Sequence, residues 1–271
     1  MRIHIIDAFT DRPFRGNPAG VCLLEPGDWP DEAWMRQVAA ELNFSETAFA
    51  LPAADGDWSI RWFAPLVEMN LCGHATLATT HALRKVKGIE GTVRFHSRRS
   101  GVLVAHTGED GSITLDFPAA HGAEATAPDG LAEALGAKPE AVRSTGTLGD
   151  LLTVFPDEGA VRAVAPDHEA LAELTRREGL RGVIITAPAP DGASYDFVSR
   201  FFAPADGVLE DPVTGSAHTA LAPYWAKRLG RDGLTGLQAS ARSGLVRTRV
   251  QGERVLLTGQ AVTIVDGDLR V

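Results

Sequence analysis

Two short segments of the chain combine acid–base side chains with a glycine. Cys72-Gly73-His74 places a thiol and an imidazole beside a glycine, and Glu210–Ser216 (EDPVTGS) supplies two carboxyl groups and two hydroxyls. A run of small and apolar residues that is typical of a helix follows each segment. Imidazole and carboxyl groups are common general acids and bases. The free N–H groups and the dipole of a helix start also favour binding of an anion such as a carboxylate.

A third segment, Asn43–Thr47 (NFSET), places a carboxyl group directly before an apolar strand. Glu46 stands between Phe44 and Phe49 in the sequence. An apolar setting raises the pKa of a carboxyl group toward the range that is useful for acid–base catalysis. A glutamate at the entrance to a strand is more often a solvated charge, so this pattern by itself does not assign Glu46 to an active site.

The chain contains one pattern twice, at an offset close to half of its 271 residues. The matching segments occur in the same order in both halves. They are Arg61–Pro65 with Arg200–Pro204, Gly73–Ala78 with Gly215–Ala220, and Arg99–Val102 with Arg242–Leu245. Ordered matches at a nearly constant offset indicate an internal repeat. We therefore interpret the chain as two copies of one unit.

Each copy predicts strands around one buried helix. Ser59–Phe63 alternates with a period of two, which is typical of a strand. Gly73–Leu83 contains no Asp, Glu, Lys or Arg, and a helix that is apolar on nearly every side is buried on nearly every side. Ala217–Ala226 takes this place in the second copy. Asp31–Leu42 and Asp167–Glu178 have the amphipathic spacing of surface helices.

These elements predict an α+β fold of two pseudo-symmetric halves, each a curled mixed sheet around a buried central helix. The boundary falls where periodicity is lost and Ala, Gly and Pro accumulate, which gives an N-terminal half of residues 1–120 and a C-terminal half of residues 121–271. A pseudo-twofold axis between the halves would turn the helix starts at Gly73 and Gly215 toward one active-site cleft. Both starts could then bind a carboxylate.

The composition excludes several classes of function. The chain has 26 Lys and Arg against 35 Asp and Glu, a formal net charge of −9, and its basic residues are scattered. Neither a nucleic acid nor an anionic membrane surface is therefore expected as a partner. The apolar runs are too short for a membrane span, and two cysteines, Cys22 and Cys72, suit a reducing compartment. We expect a cytoplasmic protein whose partner is a small carboxylate-bearing substrate.

In their order and spacing, the chemical segments resemble the phenazine-biosynthesis isomerase family (PhzF-like), which shares its fold with diaminopimelate epimerase. The matching segments span nearly the whole chain. They are Asp7–Thr10 with Arg15–Ala19, Asn43–Thr47, Cys72–Leu77, Glu210–Ala217, Ser243-Gly244 and Thr258–Val262. The resemblance implies an isomerase with a diaminopimelate-epimerase-like fold. It also implies that a C-terminal strand, residues 262–271, completes the N-terminal half.

The resemblance further implies roles for individual residues. Glu46 corresponds to the general acid/base of the family, while His74 and Asp211 correspond to catalytic residues that hold the substrate or relay a proton. The positions that correspond to substrate-binding residues are Ser45, Gly73, Gly215 and Ser216. A homodimer is implied as well, with no metal and no nicotinamide, flavin or pyridoxal cofactor.

The implied mechanism is a proton shift by one carboxyl group. Glu46 removes a proton next to an unsaturated or carboxylated carbon and returns it to another carbon on the same face. An epimerase needs two acid/base groups on opposite faces, and the related epimerases and racemases use a pair of cysteines, one from each half. Residues 73–271 contain no cysteine. A two-base epimerase or racemase of a small amino or hydroxy acid, pairing Glu46 with Cys72 or Asp211, stays open as an alternative.

Two further alternatives have weaker support. The cleft could hold a metabolite without transforming it, which would make the chain a non-catalytic metabolite-binding protein. Cys72 and His74, with His81 farther along, could form a metal site, but their spacing matches neither the zinc-finger nor the zinc-protease pattern. Exchange of substrate protons with solvent would distinguish an enzyme from a binding protein.

Overall fold

The structure is a computed structural model that describes residues 1–270. The chain folds into two compact units. The first unit contains Met1–Phe117 and the chain from Leu256 onward, and the second contains Pro118–Val255. Among residues 1–270, no helix combines the length and the apolar character needed to cross a membrane.

Sixteen strands and six α-helices form within the described residues. The strands are β1 (Arg2–Ala8), β2 (Asn17–Leu23), β3 (Glu46–Pro52), β4 (Trp58–Phe63), β5 (Glu68–Met69), β6 (Thr92–Ser97), β7 (Gly101–Thr107), β8 (Ile113–Pro118), β9 (Ala141–Ser144), β10 (Asp150–Val154), β11 (Gly182–Pro188), β12 (Phe197–Phe202), β13 (Gly233–Gln238), β14 (Gly244–Gln251), β15 (Arg254–Gly259) and β16 (Ala261–Asp268). The helices are α1 (Glu32–Leu42), α2 (Gly73–Lys87), α3 (Leu131–Leu135), α4 (Glu158–Ala163), α5 (His168–Glu178) and α6 (Gly215–Leu229).

Six strands of each unit are arranged in the same way. Their order is β1-β2-β3-β4-β6-β7 in the first unit and β9-β10-β11-β12-β13-β14 in the second. In both units the second and third strands are parallel, the fourth and fifth are parallel, and the other neighbours are antiparallel. In the first unit, β8 and β15 extend the sheet beyond β7, and β16 extends it beyond β1. The predicted α+β fold class, with a repeated unit, is confirmed.

Each unit packs its sheet around one central helix, as predicted. Every residue of α2 from His74 to Leu83 is buried, and so is every residue of α6 from Ala217 to Ala222. Three threonines of α2 are tolerated in this apolar setting because each hydroxyl donates to the backbone carbonyl four residues earlier. They are Thr76, Thr79 and Thr80, with distances of 2.6, 2.7 and 2.9 Å.

Each unit contains a bidentate ion pair between an arginine and a glutamate. Arg61 of β4 donates to Glu68 at 2.7 and 2.9 Å, and Arg200 of β12 donates to Glu210 at 2.8 and 3.0 Å. The hydrogen bonds from Arg61 lower the pKa of Glu68. Each glutamate lies four residues before the N-cap of its central helix. These pairs therefore tie a central strand to the segment that leads into the buried helix.

The C-terminal strand joins the first unit. β16 pairs antiparallel with β1, so that Ala261 faces Ala8 and Asp268 faces Arg2. Val271, the last residue of the segment 262–271 that the family resemblance predicts as a closing strand, lies outside the described residues. The predicted boundary between residues 120 and 121 stays a prediction. The compactness of the two units does not show that either of them folds independently.

Replacement of Arg61 is expected to destabilise the protein. Arg61 is 8% exposed, and the side chain of Glu68 is 8% exposed. In Arg61→Lys the ammonium group cannot form two parallel hydrogen bonds, so the free energy of unfolding should fall by about 1–3 kcal/mol. Arg61→Met removes the buried cation altogether and should cost about 3–5 kcal/mol. Urea unfolding followed by circular dichroism measures both losses.

Arg162→Lys is the matched control for this series. Arg162 pairs with Glu158 at 2.6 Å, but its side chain is 49% exposed. Exposed ion pairs contribute roughly 0–1 kcal/mol, so the free energy of unfolding should change little. Equal losses in Arg61→Lys and Arg162→Lys would contradict a special role for the buried pair.

Candidate active site

Glu46 is the first residue of β3, and its carboxyl group is largely sheltered from solvent. The side chain is 14% exposed. β2 lies beside β3 in parallel, with Ala19 opposite Glu46. Thr47, the next residue, is completely buried, so β3 enters the apolar interior directly after Glu46. The structure therefore places this carboxyl group at the margin of the core rather than on an open surface.

His74 links Glu46 to the start of the central helix α2. It is the second residue of that helix, and its Nε2 atom lies 3.5 Å from Oε2 of Glu46. The other ring nitrogen, Nδ1, lies 3.3 Å from Nδ2 of Asn17 and 3.4 Å from Sγ of Cys72. Two residues that were predicted to be catalytic, Glu46 and His74, are thus in contact.

The imidazole of His74 is neutral. Its side chain is 5% exposed, and burial lowers the pKa of His74 to about 3. The contact with Glu46 therefore joins a neutral ring and a carboxyl group rather than two full charges. At 3.5 Å it is longer than a normal hydrogen bond.

The central helices begin without a side-chain cap, unlike the long surface helices. Asp31 caps α1 and Asp167 caps α5, each by accepting hydrogen bonds from two backbone amides. Cys72 and Thr214, the N-cap residues of α2 and α6, form no such bond. No cap side chain therefore competes with a carboxylate for the first-turn amides of α2 and α6. That the glycines beginning both helices bind substrate stays a prediction.

In the second unit, Asp211 lies in a buried hydrogen-bond network at the start of α6. Asp211 is 8% exposed, and its Oδ2 atom accepts a hydrogen bond from Oγ1 of Thr214 at 2.5 Å. Gln238 accepts from the backbone N–H of Thr214 at 2.8 Å and donates to the backbone carbonyl of Asp211 at 2.7 Å. These bonds fix the segment that carries Asp211 relative to the helix start.

Ser216 contacts a charged pair in the same unit. Arg181 donates from Nη1 to Oγ of Ser216 at 3.0 Å and forms two further hydrogen bonds with Asp150. Ser216 is the second residue of α6, the position that His74 occupies in α2. The predicted site residues thus form two groups: Ser45, Glu46, Gly73 and His74 belong to the first unit, and Asp211, Gly215 and Ser216 belong to the second.

The position that corresponds to Glu46 in the second unit is Gly182. Glu46 begins β3, and the next residue, Thr47, pairs with Phe63 at the end of β4. Gly182 begins β11, and the next residue, Val183, pairs with Phe202 at the end of β12. A Cβ atom on Gly182 would lie 2.6 Å from Cζ of Phe201, so a side chain does not fit there. The second unit has no carboxyl group where the first unit has Glu46.

Within the described residues, Glu46, Cys72 and His74 are the group that could hold a metal ion. Their ligand atoms lie within 4.8 Å of one another, and thiol, imidazole and carboxyl groups are ligands that zinc prefers. His81, which the sequence-based metal alternative included, has its Nε2 atom 3.1 Å from Oγ1 of Thr263 instead. The absence of a metal cofactor stays a prediction.

Sequence reasoning assigned no role to Asn17, Arg181 or Gln238. Asn17 is completely buried. It lies in the segment Arg15–Ala19, which is part of the family resemblance, but the resemblance gave this residue no role. A period-two signal could have found Gln238, because alternate residues of β13 are buried up to this last position. Arg181 has no local signal, since its partners Asp150 and Ser216 are more than thirty residues away.

Solved structures share this architecture. A phenazine biosynthesis protein of the PhzF family from Enterococcus faecalis matches with a TM-score of 0.91 and 39% identity, over 100% of this chain and 99% of that chain. A hydroxyproline epimerase from Agrobacterium vitis, with bound trans-4-OH-L-proline, matches with a TM-score of 0.63 and 16% identity, over 98% of this chain and 91% of that chain. At 16% identity, the match to the epimerase shows only that the two proteins share a fold. The fold is therefore of the class that PhzF proteins share with epimerases.

The chain belongs to the phenazine biosynthesis-like protein family (PhzC-PhzF), which it matches over residues 6–267. A relative from Pseudomonas aeruginosa, named an uncharacterized isomerase, is 45% identical over 272 residues, which cover 100% of this chain and 99% of the relative. The predicted family is confirmed, and the name of this relative supports classification as an isomerase.

Acidification is expected to destabilise the protein through its buried histidines. Burial lowers the pKa of His74 to about 3 and the pKa values of His81 and His218 to about 4, whereas histidine in an unfolded chain titrates near ~6.5. Between these values the unfolded chain binds more protons than the folded one. The free energy of unfolding should therefore fall as the pH decreases below about 6.5, by up to about 1.4 kcal/mol per pH unit for each histidine.

Urea unfolding between pH 7 and pH 5 measures this dependence. His81→Gln should reduce the pH dependence of the free energy of unfolding by up to about one proton, because one buried histidine no longer titrates on unfolding. A slope that is the same in His81→Gln and in the unmodified protein would rule out this explanation.

Proposed function

We propose that the protein is a cofactor-independent isomerase that moves a proton between two carbons of a small carboxylate-bearing substrate, with Glu46 as the single general acid/base. The asymmetry of the repeat is the observation that carries this proposal. A sheltered carboxyl group beside a buried imidazole lies in the first unit, and a glycine takes the corresponding place in the second. One mobile carboxyl group is sufficient for a proton shift along one face.

The proposed reaction has two steps. Ionised Glu46 removes a proton from a carbon next to an unsaturated or carboxylated carbon, and the electron pair of the C–H bond moves into the conjugated system. Protonated Glu46 then returns the proton to another carbon on the same face. The negative charge that spreads into the substrate would be stabilised by the uncapped first-turn amides of α2. The substrate is rearranged without gain or loss of atoms or electrons.

His74 supports Glu46 in this mechanism. Because burial lowers the pKa of His74 to about 3, the ring is a weak base and does not compete with Glu46 for the substrate proton. A neutral imidazole can still donate one N–H to a carboxylate or to the substrate. We assign His74 the role of holding Glu46 or the substrate in place rather than of carrying the transferred proton.

Asp211, Gly215 and Ser216 are proposed to contact the substrate, as the family resemblance implies. Thr214 and Gln238 hydrogen-bond to Asp211 and to its backbone carbonyl, and we assign this segment a binding role rather than that of the acid/base. A homodimer and a cytoplasmic location also stay part of the proposal. Sedimentation equilibrium of the purified protein tests the homodimer.

A two-base epimerase is the second candidate, because a thiol lies near the proposed base. Ligand atoms of Cys72 and Glu46 are within 4.8 Å of each other. An epimerase returns a proton to the carbon from which one was removed and inverts that centre, whereas the proposed isomerase delivers it to a different carbon. The position of a newly formed C–H bond therefore separates the two reactions.

Glu46→Gln is expected to slow the reaction strongly. The purified protein is incubated in deuterated buffer with a panel of small unsaturated, cyclic and amino carboxylates, and NMR and mass spectrometry follow both isomerised product and deuterium at carbon. Loss of the general acid/base should reduce the rate by roughly 10²- to 10⁴-fold. Glu41→Gln is the matched control, because Glu41 is exposed on α1 and its replacement should leave the rate unchanged.

The outcomes separate the candidate functions. Product with the proton at a new carbon, lost in Glu46→Gln and kept in Cys72→Ala, would support the isomerase. Inversion at the deprotonated carbon that also needs Cys72 would support the epimerase. A ligand that binds but yields neither product nor label would argue against Glu46 as a catalytic base and in favour of a non-catalytic binding protein.

A further inference from the structure

A chain of polar contacts connects Ser45 to Glu46 through the interior of the first unit. Oγ of Ser45 donates to Oδ1 of Asn17 at 3.3 Å, and Nδ2 of Asn17 lies 3.3 Å from Nδ1 of His74. Nε2 of His74 then lies 3.5 Å from Oε2 of Glu46. Asn17 is 0% exposed. In the interior, the oxygen of its amide faces the hydroxyl of Ser45 and the nitrogen faces the imidazole of His74.

The donor and acceptor capacities along this chain determine where the imidazole hydrogen lies. An amide nitrogen can only donate, so Nδ1 of His74 accepts from Asn17 and carries no hydrogen. A neutral imidazole with a bare Nδ1 has its hydrogen on Nε2. That hydrogen faces Glu46, whose ionised carboxyl group can only accept. Every contact then joins one donor to one acceptor.

Cys72 is the other neighbour of Nδ1, at 3.4 Å. A thiol is a weak donor whose hydrogen rotates about the C–S bond. The thiol of Cys72 can therefore donate to Nδ1 or accept from it, and so is compatible with either tautomer of His74. The amide of Asn17 is a stronger donor, and its nitrogen rather than its oxygen faces Nδ1 of His74. Of the two neighbours, Asn17 is the one that can select a single tautomer.

We propose that Asn17 is a positioning residue that holds His74 in the tautomer with its hydrogen on Nε2. In this tautomer His74 donates to Glu46 or to the substrate and cannot take up the proton that Glu46 removes, because the nitrogen nearest to Glu46 is already protonated. The catalytic consequence rests on the proposed function of Glu46. The tautomer itself is a property of the free protein and can be measured without a substrate.

NMR of protein labelled with ¹⁵N in the imidazole rings tests the proposal. The chain has 8 histidines, and the signals that vanish in His74→Gln identify His74. At pH 7 the unmodified protein should show a protonated Nε2 and a bare Nδ1. A protonated Nδ1, or an imidazolium, would overturn the proposal. Because no substrate is added, this result stands whatever the outcome of the deuterium experiment.

Asn17→Asp is the sharpest variant, since it replaces only the amide NH₂ with an oxygen of similar size. Its carboxyl group can still accept from Ser45, but it now presents an acceptor to Nδ1. The hydrogen should therefore appear on Nδ1 of His74. Retention of the original tautomer with a bare Nδ1 in a folded Asn17→Asp protein would overturn the proposal.

Two more variants distinguish Asn17 from the other neighbours of the ring. In Glu46→Gln and in Cys72→Ala, Asn17 still donates to Nδ1, so the hydrogen should stay on Nε2. A shift to Nδ1 in Glu46→Gln would assign control of the tautomer to Glu46, and a shift in Cys72→Ala would assign it to the thiol. Either result would overturn the proposal, and neither depends on the folding of Asn17→Asp.

The deuterium assay adds a functional measurement for the substrate that it identifies. Asn17→Asp should lower kcat by on the order of 10²-fold, a loss typical for a misplaced acid–base group, with a smaller change in KM. An unchanged kcat in a variant whose tautomer has switched would show that the tautomer does not matter for the reaction and would overturn the catalytic part of the proposal.

Discussion

Burial of the two central helices is the constraint on which the rest of the structure depends. A helix leaves its first backbone amides without intrahelical partners, and the N-cap side chains of α2 and α6 do not bond to them. An unsatisfied buried polar group costs about 1–3 kcal/mol, and polar groups at both helix starts contact side chains of neighbouring strands. Asn17 meets His74 beside α2, and Gln238 meets Thr214 beside α6. The chemically important groups are therefore ordered by the same hydrogen bonds that make burial possible.

The two units share a scaffold but differ in their chemistry. The pairs Arg61–Glu68 and Arg200–Glu210 hold the segment before each central helix in the same way. The repeat diverges where β3 and β11 begin, because the first unit has a carboxyl group there and the second has a glycine packed against an aromatic ring. A duplicated scaffold can keep its structural bonds in both copies while only one copy has a carboxyl group at this position. This difference between the units is the observation on which the proposed one-base reaction rests.

Features that depend on local sequence could be predicted well. The central helices follow from runs without charge, and the surface helices α1 and α5 begin beside Asp31 and Asp167, as their spacing predicts. Glu46 is different, because a glutamate at the entrance to a strand has the same local pattern whether it is solvated or catalytic. Only the family resemblance singled it out. Its contact with His74 joins residues on β3 and α2, and no local pattern contains that contact.

The sequence by itself determined the repeated α+β architecture, the buried central helices and the residue types available for acid–base chemistry. These depend on periodicity, charge and composition, which are properties of neighbouring residues. Tertiary structure alone decided that Asn17 lies against His74, that Arg181 reaches Ser216, and that Gly182 occupies the place of Glu46. The physical reason is that hydrogen bonds and close packing act over a few ångströms between strands and helices. Sheet register, rather than distance along the chain, brings those groups together.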